Sequence, residues 1–380
     1  MKIVIVGAGP AGLAAARSAA EGVARSGADV TLIDGNHSTG GQIWRGGGAP
    51  EIETGVATLL NTRVASPDLL TFDKLILATG ARELFLPFPG WTLPGVFGAG
   101  GLQALVKEGL DVRNKRVVVA GTGPLLLAVA HYLKTHGADI RLIAEQAPWS
   151  RLIRFGAALP SRKWLEALRL WNPCFSPSTW VTEAQGTTHV KSVSAGGKKI
   201  PCDYLAIGYG LVPNTELPQL MKVDPCALDE YQRTSNPAIF CAGEVTGIGG
   251  VDLSIVEGSI AGYAAAGDVE KARAFFVQRD RWKRFGTALA EAFALRPELA
   301  QLARPDTFVC RCEDVTYQEL VAKASWREAK IHSRCGMGPC QGRVCGPAVE
   351  FLFGWKPDSV RPPLFPTPSG SFSMIGNEPQ

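Results

Sequence analysis

The stretch IVIVGAGPAGLAAARSAA (3–20) decides the fold of the N-terminal part of this chain. Its first four residues are apolar and predict a short buried parallel strand, and Gly7, Gly9 and Gly12 follow at G-x-G-x-x-G spacing. In this pattern the first glycine permits a tight turn, the second lets a pyrophosphate approach the backbone, and the third lets the helix pack closely. The anion then lies at a helix N-terminus, where free N–H groups favour it.

The residues after this helix complete the pattern. ADVTLID (28–34) predicts a second strand that ends at an acidic residue, about 20 residues beyond the glycines, where a carboxylate can accept hydrogen bonds from ribose hydroxyls. Strand, turn, helix and acid in this order predict a dinucleotide site. Its candidate residues are Gly7, Gly9, Pro10, Ala11, Gly12 and Asp34.

The motif recurs at KRVVVAGTGPLLLAVAHYLKTHGADIRLIAE (115–145). Strand, helix, strand and terminal acid repeat, but Leu126 stands in place of the third glycine. The candidate nucleotide-binding residues are Gly121, Gly123 and Glu145. This pattern predicts a second Rossmann-like unit. Two interpretations of its ligand stay open: a working NAD(P) site, and a degenerate or repurposed nucleotide site, for example for ATP.

Composition suits a globular protein, with 46% apolar and 19% charged residues. No stretch approaches the roughly 20 apolar residues of a membrane span, and the net charge of +4 is too small to predict nucleic acid or an anionic membrane as a partner. Without an export signal we expect a cytoplasmic location, where cysteines more often bind metal than form disulfides. Four scattered cysteines are expected to be buried small hydrophobes: Cys174, Cys202, Cys226 and Cys241.

The other five cysteines lie in two short segments, VCRCEDV (309–315) and RCGMGPCQGRVCG (334–346). They are Cys310, Cys312, Cys335, Cys340 and Cys345. A C-x-C pair, a short predicted helix at 317–325 and a second cysteine pair are typical of small domains that bind zinc or a [2Fe–2S] cluster. Zinc knuckles usually present C-x-x-C, which neither segment has, so the iron–sulfur cluster is the stronger prediction, with zinc or no metal as the alternatives.

Four ligands have to be chosen from these five thiols. Pro339 suits the first turn of a helix, whose free N–H groups would stabilise a thiolate at Cys340. The predicted ligands are therefore Cys310, Cys312, Cys340 and Cys345, with Cys335 as the spare thiol. Because Cys335 and Cys340 have the same spacing as Cys340 and Cys345, the alternative pair stays open.

Three further segments resemble the flavoproteins with two dinucleotide-binding domains, such as the glutathione and thioredoxin reductase class: GGQIWR (40–45), DKLILATGARELFLPFPG (73–90) and PAIFCAGEVTGIGGVDLSIVEGSIAG (237–262). The resemblance implies that the first motif binds the ADP part of FAD. It adds as site residues Gly41, Gln42, Thr79, Gly80, Gly243 and Glu244, the last standing where the class has Asp. No cysteine pair lies near either nucleotide motif, so dithiol–disulfide exchange is not predicted.

Four motifs in fixed order resemble one family more specifically: GYGLVPNTEL (208–217), AGEVTGIGGVDL (242–253), VCRCEDVT (309–316) and GMGPCQGRVCGP (336–347). This family comprises the FAD-containing subunits of opine oxidases, hydrogen cyanide synthase, and dye-linked proline and D-hydroxyproline dehydrogenases. The cysteine segment is similar to the bacterioferritin-associated-ferredoxin-like [2Fe–2S] module. One departure is the short segment 46–71, where the family carries far more residues, which implies a flavin pocket that is more open or is completed by a partner.

The resemblance implies an electron-transfer subunit, containing FAD and an iron–sulfur cluster, of a heteromeric amino-acid or secondary-amine dehydrogenase of D-hydroxyproline, proline or opine type. Its expected partner is the flavoprotein subunit that oxidises the substrate, and a small additional iron–sulfur subunit is a further candidate. The rival hypothesis is a free-standing NAD(P)H-dependent flavin and iron–sulfur reductase. No catalytic acid or base is assigned, because none of the five histidines has a recognisable catalytic setting.

The predicted fold class is α/β, with two nested Rossmann-like dinucleotide-binding domains of glutathione reductase type and a small C-terminal ferredoxin-like [2Fe–2S] module. The predicted segments are 1–100 and 221–266 for the FAD-binding domain, 101–220 for the second domain, 267–305 for a helical connector, 306–355 for the iron–sulfur module and 356–380 for a proline-rich tail.

Overall fold

The structure is a computed structural model that describes residues 1–23, 28–52, 54–157, 159, 161–357 and 360–368, the side chains of 161 and 162 excepted. The chain forms two compact units. The first contains residues 1–82, 213–287 and 360–368, and the second contains residues 83–212 and 288–357. The finer division into six predicted segments stays a prediction. None of the helices in the described ranges is long and apolar enough to cross a membrane.

The strands are, in chain order, β1 (Lys2–Val6), β2 (Asp29–Ile33), β3 (Val56–Leu59), β4 (Lys74–Leu77), β5 (Ala81–Glu83), β6 (Val96–Gly98), β7 (Arg116–Gly121), β8 (Asp139–Glu145), β9 (Phe175–Ser176), β10 (Val181–Gly186), β11 (Val190–Ala195), β12 (Lys198–Pro201), β13 (Tyr204–Gly208), β14 (Leu211–Pro213), β15 (Ile239–Cys241), β16 (Phe308–Cys310) and β17 (Val315–Thr316).

The helices are α1 (Pro10–Val23), α2 (Ala99–Lys107), α3 (Leu125–Thr135), α4 (Trp149–Ala157), α5 (Ser161–Arg169), α6 (Glu216–Leu220), α7 (Val251–Ala266), α8 (Val269–Arg273), α9 (Phe276–Ala292), α10 (Tyr317–Val321), α11 (Trp326–Ser333) and α12 (Cys345–Phe353). Short 3-10 helices occur at Pro67–Leu69 and Pro297–Gln301.

The first unit is built on a parallel five-stranded sheet with the order β15-β4-β1-β2-β3. Its central strands are apolar on both faces, as parallel strands covered by helices require, and the side chains of Ile3, Ile5, Leu75 and Ile76 are fully buried. Strands β1, β2 and β4 lie where the sequence predicts them. The sheet brings the carboxyl ends of β1, β2, β4 and β15 to one edge, which is where ligands bind in this fold.

Helices α1 and α7 pack in the first unit with their backbones in contact. A Cβ atom on Gly258 would lie 2.1 Å from the carbonyl oxygen of Ala11, and one on Gly262 would lie 2.3 Å from that of Ala15. Larger residues at these two glycines would push the helices apart. The close crossing therefore determines the position of the α1 N-terminus, which lies within the first glycine motif.

The second unit contains another parallel sheet, with the order β6-β13-β7-β8-β9, and an antiparallel sheet of β10, β11 and β12. Leu126 on α3, which replaces the third motif glycine, is fully buried. It packs near Gly208 on the neighbouring strand, where an added Cβ would lie 3.5 Å from Leu126 Cδ2, an ordinary van der Waals distance. The predicted Rossmann-type α/β fold with parallel sheets is thus confirmed.

The cysteine-rich segment lies in the second unit and has its own small core, formed by Val309, Val315, Leu320, Trp326, Ala329 and Val349 together with three cysteines. Helix α10 confirms the helix expected after the C-x-C pair, and a capping box of Thr316 and Glu319 begins it. The helix expected at Pro339 is wrong. Residues 339–344 form turns, because Gln341 and Gly342 have positive φ, and the helix begins only at Cys345.

Only part of the predicted proline-rich tail is described. In residues 360–368 Leu364 is buried, and its backbone N–H donates to the carbonyl of Ala65 at 2.8 Å. This part of the tail therefore packs on the first unit. Residues 369–380 lie outside the described residues.

Candidate functional site

The first glycine turn has the geometry that a pyrophosphate needs. Gly7 has a φ of +107°, and a Cβ there would lie 2.2 Å from the carbonyl oxygen of Ala78, so no other residue fits. A Cβ on Gly12 would collide with the carbonyl of Gly7. Beside Gly9, by contrast, no atom lies within 4 Å of the added Cβ. The backbone is therefore packed tightly on two sides of the turn and open on the third.

Asp34 follows β2 at the edge where the sequence predicts it. Its carboxylate accepts hydrogen bonds from the backbone N–H of Ala8 at 2.6 Å and from the backbone and side-chain amides of Asn36 at 2.7 Å. Pro10 begins α1, and Ala11 is buried beside it. The acid therefore stabilises the glycine turn itself, and its position beside that turn is the one from which this residue type reaches a ribose.

The predicted segment 40–42 lies against the same turn. The N–H of Gly40 donates to the carbonyl of Ala8 at 2.8 Å, and a Cβ on Gly41 would lie 3.1 Å from the Cα of Gly9. Gln42 is exposed next to it. Gln42, which the resemblance places beside the flavin, thus follows a glycine that contacts Gly9 of the turn.

Thr79 and Gly80 follow β4 and are bound to one residue that the sequence analysis did not single out. Asn214 donates from its side chain to the carbonyl of Thr79 at 2.9 Å and from its backbone to the carbonyl of Gly80 at 2.9 Å, and Thr79 Oγ1 donates to the carbonyl of Asn214 at 2.8 Å. Asn214 lies within the quoted motif GYGLVPNTEL, which was the only signal for it.

Gly243 and Glu244 follow β15, at the same edge as the glycine turn. A Cβ on Gly243 would lie 2.6 Å from that of Ala11, so the turn packs directly on the start of α1. Its N–H donates to the buried carboxylate of Glu257 at 3.0 Å, a second residue that sequence reasoning missed. The carboxylate of Glu244 makes no hydrogen bond or ion pair with any described residue, and burial raises its pKa. A ligand hydroxyl group fits this unpartnered acceptor.

The second glycine turn is only partly open. Gly121 packs against the next strand, since a Cβ there would lie 2.0 Å from the carbonyl of Gly208, and Gly123 faces open space. Glu145 is 1% exposed and accepts hydrogen bonds from the N–H groups of Gly123 and Ala147 at 2.8 Å. Burial raises its pKa to about 7. The hydrogen-bond partners of Glu145, which was predicted to bind a nucleotide, are thus protein groups: Thr122, Gly123 and Ala147.

A segment after α9 covers this second acid. Thr122 Oγ1, which is hydrogen-bonded to Glu145, lies 3.3 Å from the carbonyl of Phe293. The side chain of Gln146 donates to the carbonyl of Ala294 at 3.3 Å and accepts from the N–H of Arg296 at 3.1 Å. Residues 293–296 therefore lie against Thr122, which is hydrogen-bonded to the buried carboxylate, and against Gln146, which follows Glu145 in the chain.

The five clustered cysteines come together in the second unit. The sulfur atoms of Cys310, Cys335 and Cys345 lie within 4.8 Å of one another, and all three residues are buried. Cys312, which is exposed, and the half-buried Cys340 are hydrogen-bonded to each other. Hydrogen bonds from the two other buried thiols lower the pKa of Cys310 to about 2, while the pKa of Cys335 rises to about 12. Cys310 is therefore the most readily ionised of these three thiols.

The four predicted ligands all line one cavity. Its volume is about 110 Å³, and its walls are formed by Cys310, Cys312, Cys340, Cys345, Phe85, Trp91, Arg311 and Val344. Cys335 is not among them, although it belongs to the tightest group of three thiols. The cavity is the better match to a [2Fe–2S] cluster, because its wall offers the four thiols that such a cluster needs, whereas the group of three lacks a fourth.

Glycines near Trp326 make this arrangement possible. Gly336 has a φ of +81° and Gly342 a φ of +80°, and a Cβ on Gly336 would lie 2.4 Å from the indole ring. A Cβ on Gly338 would lie 2.3 Å from that of Cys312. The pattern G-M-G-P-C-Q-G is therefore required for the turns that bring the two cysteine segments together.

Two of the four scattered cysteines are buried as expected. Cys202 and Cys241 are buried and Cys174 is half-buried, but Cys226 is exposed. The expectation of a buried Cys226 is therefore wrong, because the turn that follows Asp224 directs this residue outward.

The chain belongs to the pyridine nucleotide-disulphide oxidoreductase family, whose model matches residues 1–54 and 48–268. It is an FAD-dependent oxidoreductase. Hydrogen cyanide synthase subunit HcnB of Pseudomonas aeruginosa is 29% identical over 100% of this chain and 99% of that protein. An opine oxidase subunit of Rhizobium meliloti is 28% identical over 98% of each chain. The family resemblance stated from the motifs is thus confirmed.

The alignment with HcnB spans 469 positions, whereas this chain has 380 residues, so the relative carries segments that this chain lacks. Among solved structures, L-proline dehydrogenase from P. horikoshii has a TM-score of 0.68 and 19% identity over 99% of this chain and 79% of that one. This similarity extends the shared fold beyond the two nucleotide-binding motifs to the cysteine-rich segment.

Proposed function

We propose that this chain is the FAD- and iron–sulfur-containing electron-transfer subunit of a heteromeric dehydrogenase that oxidises an amino acid or secondary amine. One observation carries the proposal: four cysteines from two distant segments line a single cavity in a chain that also has an open glycine turn of flavoprotein type. The relatives agree with it, since their names describe subunits of an opine oxidase and of a hydrogen cyanide synthase.

FAD, when bound, supplies two-electron uptake and stepwise electron release. The open side of Gly9 and the N-terminus of α1 accommodate the pyrophosphate. Asp34 orients the turn, and Glu244 provides a free carboxylate for hydroxyl groups of the ribityl chain. Gly41, Gln42, Thr79 and Gly80 would border the flavin. Every one of these residues lies in the first unit.

A [2Fe–2S] cluster, when bound, supplies one-electron transfer. Cys310, Cys312, Cys340 and Cys345 are the proposed ligands, in a ferredoxin-like module. The side chains of Phe85 and Trp91 form an apolar part of the cavity wall. Arg311 adds positive charge beside four thiolates whose summed negative charge needs compensation.

Electrons are proposed to come from a partner flavoprotein subunit that contains the substrate pocket. The contacts of residues 293–296 beside Glu145 support this, because they leave that acid buried and unavailable to the ribose of a nicotinamide nucleotide. The substrate is proposed to be a cyclic imino acid, such as D-hydroxyproline or proline, or else an opine. A small additional iron–sulfur subunit is a further candidate partner, and the short segment 46–71 is where a partner would complete the flavin pocket.

The test is an anaerobic absorption titration of the purified chain, alone and with the co-expressed partner subunit. We expect the flavin band of the isolated chain to persist with NADH, and the band of the complex to bleach with proline, D-hydroxyproline or an opine. Bleaching of the flavin band of the isolated chain by NADH would overturn the proposal.

The second candidate is a free-standing NAD(P)H-dependent reductase, and the open space beside Gly123 favours it. In that case a nucleotide would bind through its phosphates alone, without the acid. The same titration separates the two candidates, because only the reductase is reduced by NAD(P)H in the absence of a partner.

A further inference from the structure

Two consecutive helices of the second unit, α4 and α5, expose an unusual amount of apolar surface. Six large apolar side chains in the α4–α5 segment (149–171) each leave 45% to 66% of their area exposed: Trp149, Ile153, Trp164, Leu165, Leu168 and Trp171. Single exposed apolar residues are ordinary on protein surfaces. Six exposed apolar residues within 23 positions, three of them tryptophans, are unusual. Patches of this kind mark interaction sites.

The orientation of α5 strengthens this point. Leu165 and Leu168 are exposed by 60% and 63%, whereas the side chain of Lys163 is exposed by only 21%. Glu166 and Arg169 are exposed on the same helix, and Lys163 pairs with Glu166 at 3.1 Å. In an ordinary surface helix the large apolar side chains point to the core. Helix α5 instead exposes its leucines beside charged side chains, which is the composition of a face that meets something other than water.

The same segment carries the whole net charge of the protein. Residues 149–171 contain five Arg or Lys and one Glu, while the remaining chain contains 34 basic and 34 acidic residues. Arg154 and Arg169 are exposed beside the apolar side chains. A charge of +4 averaged over 380 residues predicts no anionic partner, but concentrated in 23 residues it favours one.

Contacts on the inner side hold the two helices on the second unit. Phe155 packs edge-on against Phe293, with ring centroids 5.4 Å apart, and Phe175 lies between the rings of Trp149 and Trp171 at 6.4 and 6.0 Å. Trp149 and Trp171 thus contact Phe175 along one edge, while 52% and 57% of their surface stays exposed. The outer apolar face is left without a cover among the described residues.

We propose that the α4–α5 segment docks the protein on an anionic phospholipid surface, with the tryptophans and leucines inserted at headgroup depth and the arginines on lipid phosphates. Amphipathic helices that combine basic residues with Trp and Leu lie in this way in the membrane interface, and Trp prefers that zone. A protein partner is the weaker fit. Two nine-residue helices side by side present a face of only roughly 300 Å², against about 800 Å² per partner in a stable interface.

The test is co-sedimentation of the purified full-length protein with extruded vesicles of phosphatidylcholine, with and without phosphatidylglycerol at about 30 mol%, over a range of lipid concentrations. We expect at least roughly tenfold tighter binding to the anionic vesicles. Most of that binding should be lost in about 0.5 M salt, since screening at this concentration is strong. Ile153→Ser/Leu168→Ser and Arg154→Gln/Arg169→Gln should each weaken binding by a factor of about ten or more.

Matched controls change equally exposed residues elsewhere. Val277→Ser/Ile331→Ser removes two exposed apolar side chains, and Lys198→Gln/Lys199→Gln removes two exposed charges. Both should bind vesicles as the wild type does. Equal binding of all variants, or no binding of the wild type to anionic vesicles, would overturn the proposal. If the wild type does not bind vesicles, and Ile153→Ser/Leu168→Ser loses a partner subunit that co-purifies with the wild type, the surface belongs to that partner instead.

Discussion

The carboxylate of Glu145 accepts a hydrogen bond of 2.8 Å from the backbone N–H of Gly123, the glycine that borders open space in the second nucleotide motif. The acid and the turn are therefore bound to each other without any nucleotide between them. Because Thr122 links the same carboxylate to the segment 293–296, this bond connects the second nucleotide turn with the chain that follows α9.

Burial of this carboxyl group predicts a pH-dependent stability. The pKa of Glu145 is about 7 in the folded protein, above its ordinary value of 4.5. Between these values the folded state keeps a proton that the unfolded state has lost. The contribution is fully present below pH 4.5 and is lost as the pH rises through 7. We expect the wild type to lose on the order of 3 kcal/mol of unfolding free energy across this window.

Glu145→Gln should remove this contribution to the pH dependence of the unfolding free energy. The measurement is urea unfolding at several pH values between about 4.5 and 8. The exposed Glu166→Gln is the control and should keep the slope. An identical slope in wild type and Glu145→Gln would show that the group is ionised in the folded protein.

The choice of cluster ligands is tested by two single substitutions. Cys312→Ala should abolish iron binding, whereas Cys335→Ala should keep about two irons per chain, because of these two thiols only Cys312 faces the cavity. The measurements are iron content and the EPR spectrum of the reduced protein. The reverse pattern would assign the ligand set to the tight group with Cys335.

Loss of the cluster should interrupt electron flow without affecting the partner. In the complex, Cys310→Ser should abolish dye reduction, while the flavin of the partner subunit is still bleached by substrate. Stopped-flow absorbance at the flavin band measures reduction of the partner's flavin by substrate separately from dye turnover. Unchanged dye turnover would remove the cluster from the electron path.

The unpartnered Glu244 predicts a specific pattern of FAD affinity. Glu244→Ala should weaken FAD binding by about tenfold, as expected for loss of one charge-assisted hydrogen bond. Glu244→Asp should retain most of the affinity, since related flavoproteins carry Asp there. Fluorescence titration of the apoprotein measures both, and equal affinity of Glu244→Ala and wild type would contradict the assignment.

The close crossing of α1 and α7 predicts a structural effect at a distance from the flavin. In Gly258→Ala the new Cβ would lie 2.1 Å from the carbonyl of Ala11, so α1 must shift together with the glycine turn. We expect lower FAD occupancy and a loss of about 1–3 kcal/mol of stability. Ser259→Ala, one residue along, loses only a bond within its helix and should change neither by much. Full occupancy in Gly258→Ala would show that the helices can separate freely.

The sequence by itself determined the two nucleotide-binding units, since strand, glycine turn, helix and acid are local patterns whose spacing follows from backbone geometry. It also determined the cysteine segments and, through four ordered motifs, the family. Patterns of this kind need no long-range contact to be recognised.

Only the tertiary structure decided what these parts contact. Residues 293–296 cover Glu145, Glu257 supports the Gly243 turn, and the helix expected at Pro339 begins at Cys345; each involves pairing or backbone dihedrals that residue spacing does not encode. The surface of α4 and α5 belongs here too. Its charge is in the sequence, but which side chains face outward follows from the aromatic packing of Phe155 and Phe175. Burial and exposure are properties of the assembled core, so they could be known only once the chain was folded.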